Sequence, residues 1–213
     1  MKERTKQIFD VLFTEYPALA DLKSEIEKAF FVILNTYKNN GKILVCGNGG
    51  SAADSEHIVG ELMKGFKLKR ELSDEQKRLF ASFECGDYIA SHIQGALSAI
   101  SLVSHTALMT AFNNDVESDL VFAQQVYGYI CENDVLIALS TSGNSKNVYY
   151  GAVTAKAKNG KVISITGHDG GKLYGVSDVC VVLPSCDTAK IQEYTLPVYH
   201  TLCAMTESEL FEK

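Results

Sequence analysis

The sequence predicts an α/β protein: a five-stranded parallel sheet flanked by helices in a three-layer sandwich, with further helices at the N-terminus. Short runs rich in Val, Ile and Leu alternate with helical stretches, which is the pattern of a parallel sheet covered on both faces. Turns rich in glycine or serine follow the first and third runs. In α/β sheets, ligands bind at such carboxyl ends of strands.

Two helices are predicted at the N-terminus. The first spans about residues 2–16 and ends before Pro17. The second spans about residues 21–38, where apolar side chains recur with the helical period. Those side chains belong to Leu22, Ile26, Phe30, Ile33, Leu34 and Tyr37.

Five strands are predicted in the rest of the chain, at residues 42–47, 99–104, 134–141, 161–167 and 179–184. Helices are predicted at residues 145–158 and, as a long terminal segment, at about residues 188–211. Between the first two strands, residues 67–95 break the alternation. Their charged stretch KLKRELSDEQKR predicts a solvated helix or loop.

Length and composition indicate one folded domain. The chain has 213 residues, of which 46% are hydrophobic and 22% are charged, and these values are typical of a globular protein. We interpret residues 1–213 as a single domain with a helical extension in residues 1–40. The α/β core then occupies residues 41–213 and is enlarged by the segment 67–95.

Charge and hydropathy exclude several classes of partner. Lys plus Arg number 20 and Asp plus Glu number 26, which gives a net charge of −6, so the basic surface of a nucleic-acid-binding protein is not expected. No apolar run has the length of a membrane span, and we find no secretory signal. The six cysteines have no metal-binding spacing. We therefore expect a protein of the reducing cytoplasm.

A glycine turn, CGNGGSAA (46–53), follows the first predicted strand and opens a helix. It satisfies the loose dinucleotide pattern GxGxxA, but no second strand ending in an acidic residue follows about 20 residues later. The lysine of a Walker A motif is also missing, so no nucleotide cofactor is expected. Two interpretations remain: backbone amides that bind an anion, or a tight turn whose glycines allow close packing.

Four hydroxyl side chains gather where the third strand ends and a helix begins. They belong to Ser140, Thr141, Ser142 and Ser145. Hydroxyls and helix-terminal amides can together bind a phosphate without a lysine. The alternative is that Ser142 or Ser145 only caps the helix, for which one hydroxyl is enough. Four hydroxyls favour the phosphate site.

Two pairs of potential ligands lie on predicted helices. His57 and Glu61 are four residues apart and share a helix face. Gln192 and His200 lie on the terminal helix, about 12 Å apart along its axis, and long side chains can still converge between them. Imidazole, carboxylate and amide oxygen are plausible ligands of Zn²⁺. His–Glu pairs at this spacing are also common on solvated helix faces. The spacing therefore leaves open whether the pair binds a metal ion or only lies on such a face.

These motifs together resemble the sugar isomerase (SIS) family, in particular its phosphoheptose isomerases. The similar stretches follow in matching order along most of the chain: CGNGGSAADSEHIVGEL (46–62), NND (113–115), LSTSGNSKNV (139–148), ITGHDGG (165–171) and AKIQEYTLPVYH (189–200). The resemblance implies a flavodoxin-like sandwich with a five-stranded parallel sheet. It also implies a homotetramer that includes the N-terminal helices, with active sites near subunit interfaces.

The resemblance further implies roles for individual residues. Those that match the substrate- and phosphate-binding positions are Asn48, Gly49, Gly50, Ser51, Glu61, Asn114, Asp115, Ser140, Thr141, Ser142, Ser145 and Gln192. Those that match the ligands of one zinc ion per subunit are His57, Glu61, Gln192 and His200. Glu61 and His200 also match the proton-transfer pair, with Asp54 as a carboxylate beside it.

The implied reaction converts sedoheptulose 7-phosphate to D-glycero-D-manno-heptose 7-phosphate through an enediol. It is the first step of ADP- or GDP-heptose biosynthesis, which supplies lipopolysaccharide or another glycan. Two alternatives remain: an SIS isomerase for another sugar phosphate, and a non-catalytic SIS regulator of replication initiation. The presence of both Glu61 and His200 favours the enzyme.

Two features depart from the family pattern. Residues 67–95 look longer than the corresponding family segment. Pro197 lies between Gln192 and His200, and a proline inside a helix removes a backbone hydrogen bond and is expected to kink the helix. Such a kink would change the geometry between the two predicted ligands.

Overall fold

The computed structural model describes residues 1–212, which contain a five-stranded sheet as the sequence predicts. All strands run parallel, in the order β2-β1-β3-β4-β5. Their bounds are Ile43–Cys46 for β1, Ala99–Ser101 for β2, Val135–Ser140 for β3, Lys161–Thr166 for β4 and Val179–Val182 for β5. Each strand lies within the range predicted for it.

Helices pack on the sheet and extend the N-terminus. The N-terminal helices are α1 (Glu3–Glu15) and α2 (Lys23–Lys38), and a 3-10 helix at Pro17–Leu22 takes the place of the first residues predicted for the second helix. The other helices are α3 (Gly50–Met63), α4 (Asp74–Arg78), α5 (Gly86–His92), α6 (Thr106–Asp115), α7 (Val121–Tyr129), α8 (Lys146–Ala157), α9 (Gly171–Tyr174) and α10 (Thr188–Phe211). None of the helices within residues 1–212 is both long enough and apolar enough to cross a membrane.

The sheet divides the core into two layers. Ile43 and Val45 of β1 pack into a cluster with residues of α1, α2 and α10, whereas Leu44 and Cys46 pack into a second cluster with residues of α7 and α8. Successive side chains of a strand point to opposite faces. Because both faces are covered, every position of β1 is apolar, and the strand is seen in the sequence as a continuous apolar run.

Helix α10 continues through Pro197. This proline donates no hydrogen bond to the carbonyl four residues before it, but the residues on both sides remain helical. Ile191 before it and Val198 and Leu202 after it pack into the same core cluster. Burial on both sides therefore keeps the helix in place, and the proline does not interrupt it.

The segment 67–95 is only partly solvated. Helix α4 is exposed and begins with a capping box, in which Ser73 and Gln76 exchange side-chain to backbone hydrogen bonds. Arg70, by contrast, is only 1% exposed. The prediction of a solvated segment is therefore wrong for Arg70, because a buried carboxylate, that of Glu207, lies 2.7 Å from its Nε.

Arg70 and Glu207 form a buried ion pair with further hydrogen bonds on both sides. The Glu207 carboxylate accepts hydrogen bonds of 2.7–3.0 Å from the backbone amides of residues 66–68. The two Nη atoms of Arg70 donate to the carbonyls of Leu62 and Glu61, at 2.6 and 3.0 Å. These bonds replace the water that both charges lose on burial. The pair thus joins the C-terminal end of α3 to α10.

Replacing Arg70 by methionine is expected to destabilise the fold by about 3–5 kcal/mol, because the Glu207 carboxylate would stay buried without its counter-charge. Urea unfolding followed by circular dichroism measures the change. Lys69→Met is the matched control, since Lys69 forms an exposed ion pair with Glu71 and such pairs contribute about 0–1 kcal/mol. Equal losses in the two variants would contradict the role assigned to the buried pair.

Candidate active site

The strand order creates a crevice between β1 and β3. The order reverses there, since β2 lies on one side of β1 and the later strands lie on the other, and ligands bind at such switch points. The turn after β1 leads into α3, and the turn after β3 leads into α8. Asn48 in the first turn and Asn147 in α8 exchange two hydrogen bonds of 2.9 Å. The glycine turn and the hydroxyl cluster therefore meet at one edge of the sheet.

The turn after β1 requires glycine for both conformation and packing. Gly49 has a φ of +57°, at which any residue with a Cβ is strained. A Cβ at Gly50 would lie 2.5 Å from Nε2 of Gln192, and one at Gly47 would lie 2.6 Å from the carbonyl oxygen of Ser51. Close packing therefore accounts for Gly47 and Gly50, and backbone conformation accounts for Gly49.

The hydroxyl cluster lies at the N-terminus of α8. Oγ of Ser140 donates to Oγ of Ser145 at 3.0 Å, and Oγ of Ser142 accepts from the Asn144 amide at 3.1 Å. Ser145 is the N-cap residue of α8, but its side chain makes no capping hydrogen bond. The capping interpretation is therefore wrong for Ser145. The 12-residue helix carries a partial positive charge at this end, so hydroxyls and amides together can bind a phosphate here.

His57, Glu61 and His200 converge between α3 and α10. Nε2 of His57 lies 3.2 Å from Oε1 of Glu61 and 3.4 Å from Nε2 of His200. One ligand atom from each of the three residues lies within 4.8 Å of the other two. Two imidazoles and a carboxylate can hold a metal ion. The His–Glu pair of α3 thus has a third partner, which its spacing could not reveal.

The Glu61 carboxylate has an unused acceptor. Its Oε2 is buried and makes no hydrogen bond, although the ammonium group of Lys64 lies 3.6 Å from it. A buried oxygen without a hydrogen bond raises the free energy of the folded state, and a metal ion or a substrate proton would relieve that cost. The three residues therefore fit the zinc ion that the resemblance implies.

Gln192 packs against the glycine turn. Its amide packs against Gly50, which precedes His57 by seven residues, or about 10 Å along α3. Helices α3 and α10 lie side by side, with Gln192 level with the glycine turn and His200 level with His57. The Gln192 amide therefore borders the glycine turn, and its role as a fourth metal ligand stays a prediction.

Tyr199 belongs to the site, although the sequence analysis missed it. Its hydroxyl donates to Oδ1 of Asp54 at 3.2 Å and lies 2.9 Å from Nδ1 of His57. Asp54 thus lies beside the group as expected. Burial raises the pKa of Asp54, with the Tyr199 hydrogen bond acting in the opposite direction. Burial, and then the neighbouring His57, lower the pKa of His200. Both shifts favour the neutral side chain.

Asn114 and Asp115 form a pair at the C-terminal end of α6. Nδ2 of Asn114 donates to Oδ1 of Asp115 at 2.8 Å, and both residues are exposed. Among residues 1–212, no hydrogen bond joins either side chain to the glycine turn or to the hydroxyl cluster. Their predicted contact with a sugar therefore has no support from the contacts within the chain.

The chain is similar to known proteins along most of its length. Models of the SIS domain match residues 16–82 and 90–206. The phosphoheptose isomerase of Citrifermentans bemidjiense is 36% identical over 193 residues, which cover 91% of this chain and 88% of that protein. The phosphoheptose isomerase of Helicobacter pylori strain 26695 is 38% identical over 196 residues, which cover 92% of this chain and 90% of that protein.

Solved structures show the same architecture. The phosphoheptose isomerase GmhA of Neisseria gonorrhoeae has a TM-score of 0.74 and 32% identity, covering 97% of this chain and 98% of that chain. A phosphoheptose isomerase of Francisella tularensis also has a TM-score of 0.74, with 27% identity, covering 97% of this chain and 100% of that chain. Sequence and fold lead to the same result: the chain belongs to the SIS domain family, among its phosphoheptose isomerases.

Proposed function

We propose that this chain, an aldose–ketose isomerase, converts sedoheptulose 7-phosphate to D-glycero-D-manno-heptose 7-phosphate, the first step toward an ADP- or GDP-heptose. The observation that carries the proposal is the convergence of Glu61 and His200, an acid–base pair, on two neighbouring helices. One of these helices, α3, begins at the crevice beside the hydroxyl cluster. The relatives named phosphoheptose isomerase support the choice of substrate.

The substrate is proposed to extend from the hydroxyl cluster along α3. Its phosphate binds to the N-terminus of α8, where the hydroxyls belong to Ser140, Thr141, Ser142 and Ser145. The turn of residues 48–51 and the Gln192 amide contact the sugar hydroxyls. His57 lies about 10 Å from Gly50 along the helix, and the Glu61 side chain reaches back to within 3.2 Å of it. This spacing suits an extended sugar phosphate whose carbonyl end meets the Glu61 carboxylate. Asn114 and Asp115 are proposed as further sugar contacts on the resemblance alone.

Glu61 is proposed as the base of the isomerisation. It removes the proton from C1 of the ketose and returns it to C2, through an enediol. Its Oε2 is buried and makes no hydrogen bond, so the oxygen can accept that proton without giving up another partner. His200 acts as the acid toward the carbonyl and hydroxyl oxygens, and Asp54 lies beside the pair. A positioned acid–base group contributes about 10²–10⁴-fold to a rate.

A zinc ion is proposed at His57, Glu61 and His200, with one ion per subunit. Three protein ligands and an open position are typical of catalytic zinc sites. Bound there, the ion would polarise the carbonyl group of the substrate. Gln192, whose amide packs against Gly50, is proposed as a sugar contact and, on the resemblance alone, as a fourth ligand.

The active unit is proposed to be a homotetramer with its sites near subunit interfaces. A groove of about 540 Å³ lies between α1 and α10 and reaches His200. Its apolar lining includes Ile8, Val11, Leu12 and Leu196, and Val11 is 49% exposed. A second subunit seated there would bury this lining and border the site.

Incubation of the purified protein with sedoheptulose 7-phosphate in D₂O tests the proposed reaction. Proton NMR is expected to show new aldoheptose signals with solvent deuterium at C2, because the proton on the base exchanges with solvent in an enediol route. A folded, zinc-loaded protein that leaves this spectrum unchanged would refute the heptose assignment. Turnover of a pentose or hexose phosphate would then indicate another sugar substrate, and no turnover at all would favour the regulatory alternative.

Glu61→Gln is expected to lower kcat by at least about 10²-fold, because the amide keeps the shape of the side chain but accepts no proton. Substrate binding, measured by isothermal titration calorimetry, should persist. Glu56→Gln is the matched control on the same helix, since Glu56 accepts a hydrogen bond from Ser104 and has no role in the reaction. Retained turnover in Glu61→Gln would remove Glu61 from the base role.

Ser145→Ala separates phosphate binding from a merely structural role of the hydroxyl cluster. Loss of one hydrogen bond to a charged phosphate, worth about 1.5–3 kcal/mol, should raise KM roughly tenfold or more. Competitive inhibition by inorganic phosphate should weaken in parallel. Ser145 makes no capping hydrogen bond, so the substitution removes only the bond that its hydroxyl accepts from Ser140. The free energy of unfolding should therefore fall by only about 0.5–1.5 kcal/mol. An unchanged KM with a clear loss of stability would contradict the phosphate site.

A further inference from the structure

The Tyr199 hydroxyl links a carboxylate to a candidate metal ligand. Tyr199 is 2% exposed, so its hydroxyl has little access to solvent. Its oxygen lies 3.2 Å from Oδ1 of Asp54 and 2.9 Å from Nδ1 of His57. The ring stands edge-on to the His57 ring, with an interplanar angle of 73° and a centroid distance of 5.5 Å. The three side chains therefore form one line of hydrogen bonds: Asp54, Tyr199, His57.

The direction of these hydrogen bonds follows from the number of protons. The single phenol proton is donated to Oδ1 of Asp54, which accepts it. The phenol oxygen then has only lone pairs for His57, and Nδ1 of His57 must be the donor in that contact. A neutral imidazole with its proton on Nδ1 has a lone pair on Nε2. That atom is the one that lies next to Glu61 and His200.

We propose that Tyr199 is a positioning residue, which holds His57 in the tautomer with its Nε2 lone pair free for the metal ion. The inference rests on the zinc site of the proposed function. A metal-binding histidine commonly donates its second ring N–H to a carboxylate or carbonyl, which sets its tautomer and orientation. In this chain, a buried phenol is inserted between the carboxylate of Asp54 and the imidazole.

Helix α10 supplies both His200, a proposed metal ligand, and Tyr199, which orients His57, another proposed ligand. Tyr199 and His200 are consecutive in α10, and their rings lie 4.9 Å apart. His57 and Asp54 are three residues apart on α3, so both face α10. Any shift of α10 along α3 therefore moves His200 and the phenol together. The geometry of the three proposed metal-binding side chains therefore depends on how α10 packs against α3.

Tyr199→Phe tests the role directly, because it removes only the hydroxyl. Zinc affinity of the metal-stripped full-length protein, measured by competition with a chromogenic chelator, is expected to fall about 10- to 100-fold. Tyr194→Phe is the matched control, since Tyr194 lies on the same helix with the Lys190 ammonium 4.8 Å from its ring centroid. Its zinc affinity should equal that of the wild type. A wild-type zinc affinity in Tyr199→Phe would overturn the inference.

A double-variant comparison shows whether Asp54 and Tyr199 act through one line of contacts. If they do, Asp54→Asn combined with Tyr199→Phe should lose no more zinc affinity than the weaker-binding single variant. If the two losses of zinc affinity multiply in the double variant, the inference is overturned.

In ¹⁵N-histidine NMR of the zinc-loaded protein, the Nδ1 proton of His57 should exchange slowly in the wild type and quickly in Tyr199→Phe. This second readout does not depend on turnover.

The outcomes separate this inference from the proposed reaction. A wild-type protein that binds no zinc refutes the metal site and the role of Tyr199 together, while the deuterium experiment still decides the isomerase. A protein that binds zinc with the expected Tyr199 dependence but does not isomerise the heptose refutes the substrate and leaves the role of Tyr199 intact.

Discussion

The buried ion pair of Arg70 and Glu207 holds together the two helices that carry the candidate site. The Arg70 guanidinium donates hydrogen bonds to the carbonyls of Glu61 and Leu62 in the last turn of α3. The Glu207 carboxylate, which it pairs with, belongs to α10. Two buried charges are tolerated only when hydrogen bonds replace the water that they lose. The backbone amides of residues 66–68 supply such bonds to the Glu207 carboxylate. The distance between Glu61 of α3 and His200 of α10 therefore depends on a contact made by neither of these residues.

Helix α3 connects the two ends of the site. It begins in the glycine turn at the switch point of the sheet, where Asn48 contacts Asn147 of α8. It presents His57 about two turns further on and Glu61 about three turns further on. A helix is rigid over this length, about 10 Å to His57 and about 16 Å to Glu61, so the two ends of the proposed site keep a constant separation. The glycines permit this arrangement, since the Gln192 amide leaves no room for a Cβ at Gly50.

Burial shapes the chemistry of the group between α3 and α10. It raises the pKa of Asp54 and lowers that of His200, because a partly dry environment disfavours both charged forms. Glu61 nevertheless keeps an acceptor oxygen that is buried and makes no hydrogen bond. A site with one unsatisfied carboxylate oxygen and two imidazoles is prepared for a cation or a proton, and both occur in the isomerase proposed for this chain.

The sequence by itself determined the five strands, the terminal helix and the two turns at the crevice, because burial on both faces, helical period and glycine content are local signals. It also identified His57, Glu61 and His200 as a group, although through family resemblance. Only the tertiary structure decided the contacts of Arg70 and Tyr199 and the packing of Gln192 against Gly50. Arg70 and Glu207 are 137 residues apart, and Tyr199 and His57 are 142 residues apart. No periodicity relates residues at such separations, so the packing of α10 against α3 had to bring them together before their chemistry could be seen.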